Sequence, residues 1–343
     1  MSTASTLTEF LESTGARVRF YDMGRRVTPI PRADFLAFER NEARYPYPLQ
    51  QKAWFAMVQE RLQGQSEPLI WFLRFDLDEQ AKLVLATRDY LMHRFVEIAS
   101  QASEASELGE AMRDNPYAFA PRDDKMANLH ARVHRDLDLG PSQYFAHARD
   151  YLSGKPGWEQ WSFVAYQGLA DIAARLDEPE ISRLLHSALP HLPQEPLVAL
   201  CQCLENHPLP AELAAALRQR LERALEDKSA PPALLAGLLR GQSQGGPQLL
   251  ADAVLALLRD PRATEPEVLA AIGGRAWEAL MQPEVAKAYL ETLASAAVAP
   301  NVFDHCLADL LRLPGLQPHL LAQLRAPDRS ERLASAFQAM LQR

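Results

Sequence analysis

Three features are nearly missing from this 343-residue chain: cysteine, basic excess and long apolar runs. There are three cysteines, Cys201, Cys203 and Cys306. Cys201 and Cys203 stand two apart on an expected helix, face different directions and are poorly placed to bridge. None has metal-type spacing, so the thiols fit a reducing compartment and a cytoplasmic protein. The formal net charge is −8, which argues against a duplex nucleic-acid binder, whose footprint is a basic face. No apolar run approaches the length of a membrane span. Residues 1–12 carry acidic residues and no basic-then-apolar secretion pattern. Disorder is excluded too, because hydrophobic residues make up 48% and charged residues 23%.

What is present is proline at regular corners. Pro196, Pro231, Pro232, Pro266, Pro283, Pro300 and Pro318 punctuate the second half of the chain. Helix pairs are expected to begin near Trp158, Glu195, Pro231, Glu265 and Pro300, an interval of about 35 residues that marks stacked helical hairpins. Proline in the first turn of a helix costs no intrahelical hydrogen bond, so it can mark these starts repeatedly. The motif residues of tetratricopeptide repeats are missing, which makes the array HEAT-like. In the helix 211–226, Leu213, Leu217, Leu221 and Leu225 form one apolar ridge, and Leu333, Phe337 and Leu341 are expected inside the terminal helix.

The first part reads differently. Residues 17–23 alternate around Val18 and Phe20, 27–30 is a short extended piece held to an edge by Pro29 and Pro31, and 53–58 and 68–75 are two further strands around Gly64. Helices are expected at 32–40 and 83–100, the second packing on Leu83, Leu91, Phe95 and Ile98. The expected fold is therefore α+β: a small antiparallel-sheet domain at 1–102, a linker at 103–124, and a helical-repeat domain at 125–343. Tyr117 and Phe119 are the expected anchors of the linker. Arg25 and Arg26 at the tip of the first hairpin read as solvated side chains rather than a phosphate site. Asp76, Asp78 and Glu79 read as a solvated strand end.

Chemistry-bearing residues gather before and at the first repeat. His130 and His134 lie four apart, on one face of a helix that also packs Met126, Leu129, Val133 and Leu137, and both could reach one metal ion. Ala131 stands where a zinc protease has its acidic residue, and Asp138, a further turn along, cannot converge with them on a tetrahedral centre. Only His147, from the next helix, would complete a set, so no metal and no cofactor is expected. Gly154-Lys155 lacks the upstream glycine and following Ser or Thr of a phosphate loop. The segment Trp158–Gly168 is expected to be one helix with Trp161, Val164 or Ala165, Gly168, Ile172 and Leu176 facing inward. Gly168 in mid-helix points to close approach of another chain segment. Trp158, Gln160, Tyr166 and Gln167 lie off that stripe and form either a recognition surface or packing at the seam between the domains.

The strings Asn115-Pro116-Tyr117, His130-Ala131, Gln143-Tyr144-Phe145, His147-Ala148-Arg149 and Gly157-Trp158-Glu159-Gln160-Trp161 resemble an uncharacterised bacterial family known only as a domain of unknown function. The resemblance covers most of the chain. It implies a γ-proteobacterial cytoplasmic protein and supplies no site residues. From the residues themselves, the function expected is non-enzymatic: a scaffold that holds a protein or peptide on the repeat surface and at the junction. Two alternatives stand beside it, a hydrolase-type or metal-dependent enzyme at the junction helices and an RNA-associated repeat protein.

Overall fold

The alternation at Arg17–Asp22 becomes strand β1, with Val18 and Phe20 buried and Arg17 and Arg19 exposed. Strands β2 (Thr28–Ile30), β3 (Lys52–Glu60) and β4 (Leu69–Asp76) complete one antiparallel sheet in the order β2-β1-β3-β4. These elements come from a computed structural model that describes residues 6–13, 15, 17–60, 68–101, 115–295 and 298–342. Gly64 and the first part of the expected linker lie outside the described residues, as do the side chains of Phe95 and Ile98. The chain divides into two compact units, Met1–Arg122 with Arg312–Pro314, and Asp123–Leu311 with Gly315–Arg343.

In the first unit, β2 carries Pro29 opposite Tyr21 and sits at the sheet edge, as a residue without an N–H requires. Helices α1 (Leu7–Ser13), α2 (Arg32–Glu39) and α3 (Leu85–Gln101) belong to the same unit. Phe35 of α2 stacks on Phe20 with ring planes 9° apart and meets Phe55 edge-on, so α2 is fixed to the sheet by aromatic packing. Tyr117 and Phe119 do anchor the incoming chain. Their backbone pairs with the outer edge of β4, Arg74 N donating to Tyr117 O at 2.8 Å and Phe119 N to Phe72 O at 3.1 Å. Phe119 packs on Trp54, so a strand edge that would otherwise offer itself for pairing is covered.

The hairpin tip departs from expectation. Arg25 and Arg26 are buried, not solvated. The cause is Asp22 at the end of β1, itself fully buried, whose carboxylate accepts the backbone N–H of both Arg25 and Arg26 at 3.0 Å and the Tyr45 hydroxyl at 2.9 Å. Arg25 Nε then donates to Pro48 O at 2.9 Å. The turn is drawn inward by its own carboxylate. Asp78 does the local work expected of a strand end, accepting the N–H groups of Gln80 and Lys82.

The second unit is helical. In chain order it has α4 (Asp123–Asp136), α5 (Phe145–Leu152), a 3₁₀ turn at Trp158–Phe163, α6 (Tyr166–Ala173), α7 (Pro179–Ala188) and α8 (Gln194–Leu204). Then follow α9 (Ala211–Glu226), α10 (Pro232–Gly241), α11 (Pro247–Leu258) and α12 (Pro266–Arg275). Short 3₁₀ turns at Pro261–Thr264 and Trp277–Met281 flank α12. Helices α13 (Pro283–Leu293), α14 (Pro300–Leu310), α15 (Leu316–Leu324) and α16 (Glu331–Leu341) end the chain. Proline stands in the first turn of α7, α10, α11, α12, α13 and α14.

Each helix packs on the next but one. The even helices form one succession, α4 on α6, α6 on α8, α8 on α10, α10 on α12, α12 on α14 and α14 on α16. The odd helices form the other, from α5 through α7, α9, α11 and α13 to α15. Leucines make the filling between them: Leu213, Leu217 and Leu221 of α9 are buried, while Leu225 is only half-buried and Ala224 fills the place beside it. Gly241 permits a close approach of α10 to α8, because a Cβ there would lie 2.6 Å from Cys201 Sγ. In α16 Leu333 is buried as expected, but Phe337 is only half-buried and Leu341 is 69% exposed.

Candidate functional site

The segment at 158–168 is not the single helix that its spacing predicts. Trp158–Phe163 is a 3₁₀ turn without a buried residue, Val164 and Ala165 are extended, and α6 starts only at Tyr166. Trp161 therefore points outward instead of joining the inward stripe, and beside it Phe163 stands at 72% exposure. The close approach expected at Gly168, inside α6, is present. A Cβ on Gly168 would sit 2.7 Å from Tyr144 O and 2.8 Å from Ala148 Cβ, so α5 presses on the first turn of α6.

The four candidate recognition residues separate. Tyr166 turns inward, its hydroxyl accepting from Asn128 Nδ2 at 3.3 Å, and burial raises its pKa, with the neighbouring Cys203 thiol adding to the rise. Gln167 Nε2 donates to Ala127 O at 3.3 Å, holding α6 against α4. Trp158 is half-buried. It stacks on His191 with ring planes 15° apart, meets Tyr151 edge-on and takes the Tyr151 hydroxyl on its carbonyl at 3.0 Å. Only Gln160 is fully at the surface.

The histidines are brought half together. The rings of His130 and His134 lie with centroids 3.9 Å apart, and His134 Nδ1 shares a hydrogen bond with Gly140 O at 2.9 Å. His147 is exposed on α5. Asp138 does not continue their face: α4 ends at Asp136, and Asp138 adopts a left-handed conformation with φ of 55° ahead of Gly140-Pro141. Met126, on the same helix, is exposed rather than packed. Among the described residues, no three His, Cys, Asp or Glu side chains are grouped to hold a metal ion.

A site that the sequence reading missed lies on the even helices. A groove of about 330 Å³ runs along α8, α10 and α12, its lining including Val198, Gln202, Ala233, Gly237 and Ala270. At one end stand Arg240 and Arg275, in the last turns of α10 and α12, and near the other stands Glu267 in the first turn of α12. Glu205, directly after α8, is 2% exposed and organises the basic end. Arg240 donates from Nε to Glu205 Oε2 at 2.5 Å and from Nη2 to Oε1 at 2.9 Å; Arg275 Nε donates to the same Oε1 at 2.9 Å. Burial works to raise the Glu205 pKa, but Arg275, Arg240 and Lys125 together outweigh it and hold the carboxyl at about 2. This ionised carboxylate locks two guanidinium groups, one from α10 and one from α12. The signal available in the sequence was recurrence: residues 205, 240 and 275 occupy one position of the period.

No helix among the described residues is long and apolar enough to cross a membrane. No curated protein and no solved structure matches the chain. A family model does match, over residues 2–341, and the chain thereby belongs to the family described as a protein of unknown function (DUF3549).

Proposed function

We propose that the chain is a non-catalytic scaffold that binds a protein or peptide partner, its second unit a HEAT-like α-solenoid whose even helices carry the binding face. The observation that supports this reading is the packing of every helix on the next but one. Such packing repeats one helix face along the array, so a surface built from several repeats arises without any single repeat forming a pocket. The groove over α8, α10 and α12 has that composition: mostly small residues in its lining, with Arg240 and Arg275 fixed by Glu205 at one end. Cytoplasmic residence belongs to the same reading and rests on three free cysteines, two of them buried.

The test is affinity capture of the tagged full chain from its own cells, beside Ala233→Trp and Ala270→Trp variants that fill the groove. A partner retained by the native chain and lost from both variants is the expected result. A partner retained equally by all three would remove the groove from the reading. A small-molecule turnover activity that survives in the variants would replace the scaffold with an enzyme.

A further inference from the structure

Resting on that scaffold reading, we infer that the groove takes an extended peptide segment bearing an Asp or Glu side chain at Arg240 and Arg275 and a Lys or Arg side chain four residues away at Glu267. The charges on the groove fix the chemistry. Glu205 occupies the Nε and Nη2 edge of Arg240 and leaves its Nη1 group to another acceptor, while the side chain remains about one-fifth exposed. Because Glu205 is buried and already ionised, it costs the ligand nothing to orient the two guanidiniums; they stand ready as a fixed pair. Guanidinium groups favour carboxylate acceptors for their matching planar geometry. One buried negative charge against two Arg leaves that end with positive excess, which Lys125 near Glu205 reinforces and Asp124 near Arg240 reduces.

The opposite end carries the opposite sign. Glu267 is exposed and makes no ion pair among the described residues. It lies eight residues before Arg275 on one helix, a separation of about 12 Å at 1.5 Å per residue. An extended peptide advances about 3.3 Å per residue, so four residues cover that span. Four is also an even number, which returns both side chains to the same face of the pleat. The lining between them is mostly small, Ala233, Gly237 and Ala270, with Val198 and Gln202 contributed by α8. A nucleic-acid strand fits less well, since Glu267 and the overall charge of −8 repel phosphate.

The experiment measures fluorescence anisotropy of short labelled peptides on the full-length chain. One set carries Glu and Lys four apart; matched sets replace Glu by Gln, Lys by Gln, or move the pair to three or five apart. The Glu–Lys peptide at the right spacing should bind about tenfold more tightly than its Gln twin, a difference typical of one charge-assisted contact. Arg240→Met should abolish that difference. Because Arg240→Met also disturbs Glu205, Glu267→Lys supplies the independent arm: its side chain is exposed, and the variant should come to prefer Glu over Lys at the second position. Equal binding of Glu and Gln peptides, absence of binding by every set, an unchanged preference in Glu267→Lys, or displacement of the peptide by a uridine oligonucleotide would each overturn the inference. Groove-dependent capture of a whole protein in the preceding test, together with indifference to the carboxylate here, would leave the scaffold standing and remove only this ligand chemistry.

Discussion

Arg240 grips Glu205 through two hydrogen bonds, 2.5 Å and 2.9 Å, across 35 residues of chain, and Arg275 reaches the same carboxylate across 70. A carboxylate this deeply buried is stabilised only because both partners are in place; removing one member of such a set costs about 3–5 kcal/mol. Its folded pKa of about 2 lies below the usual 4.5, so the contribution is complete above pH 4.5 and is lost as pH falls through 2. We expect Glu205→Gln to lower stability at neutral pH and to flatten the acid limb between those values. Urea unfolding followed by far-ultraviolet circular dichroism across that range checks both; an acid limb of native steepness in the variant would refute the assignment.

Glu39, at the end of α2, behaves in the opposite sense. It is fully buried and accepts from Thr8, through its hydroxyl and, at 3.3 Å, through its N–H. Burial pushes its pKa up to about 7, against the pull of these bonds and of Arg88. A raised carboxyl pKa means that the folded state holds the proton more tightly: the stabilisation is complete below pH 4.5 and is lost as pH rises through 7. At about 1.4 kcal/mol per pKa unit, the first unit should lose on the order of 3 kcal/mol over that interval. Glu39→Gln should hold its stability level across it. Amide hydrogen exchange of α1 and α2, read separately from α8 and α10, checks this, because the Glu205 contribution is already complete above pH 4.5 and α8 and α10 should hold level while α1 and α2 lose protection.

Glycines offer a test of packing that needs no ionisation. Gly168→Ala places a methyl 2.7 Å from Tyr144 O, and Gly241→Ala places one 2.6 Å from Cys201 Sγ. Overpacking of this kind costs about 1–3 kcal/mol. Gly274, one residue before the end of α12, has nothing within 4 Å of the added methyl, so Gly274→Ala should be neutral or raise stability by up to about 1 kcal/mol. Thermal melts of the three variants should fall in that order; destabilisation by Gly274→Ala equal to the other two would show that helix entropy and packing have been wrongly separated.

The residues that the sequence made legible are those whose period is local. Val18 and Phe20 alternate and become a strand; Leu213, Leu217 and Leu221 recur every four and become a buried ridge. Pro231, Pro266 and Pro300 mark helix starts to within a residue, because proline fixes the first turn by its own ring. The site was less legible for two physical reasons. Tyr166 and Gln167 look like surface residues on a helix extrapolated from Trp158, yet the break at Val164 and Ala165 rotates the next helix and turns both inward. Arg240 and Arg275 look like ordinary last-turn cations, and only the packing of α8 on α10 and of α10 on α12 brings them to Glu205.

The same break decides how the exposed aromatics must be probed. Trp158 has ring partners on two sides, Tyr151 and His191, and its indole passes 3.0 Å from where a Cβ on Gly154 would be. A half-buried tryptophan in such packing loses about 2 kcal/mol on truncation, roughly half of the fully buried case. Trp158→Ala should therefore lower the melting temperature and, through that, weaken any interaction indirectly. Phe163 at 72% exposure has no such role, and Phe163→Ser should change stability by less than about 0.5 kcal/mol. Comparing melting with partner capture for both variants separates fold from surface. Capture lost in Phe163→Ser at unchanged melting temperature would add the 3₁₀ turn to the binding face; capture lost only in Trp158→Ala, in step with melting, would assign that tryptophan to the framework beneath it.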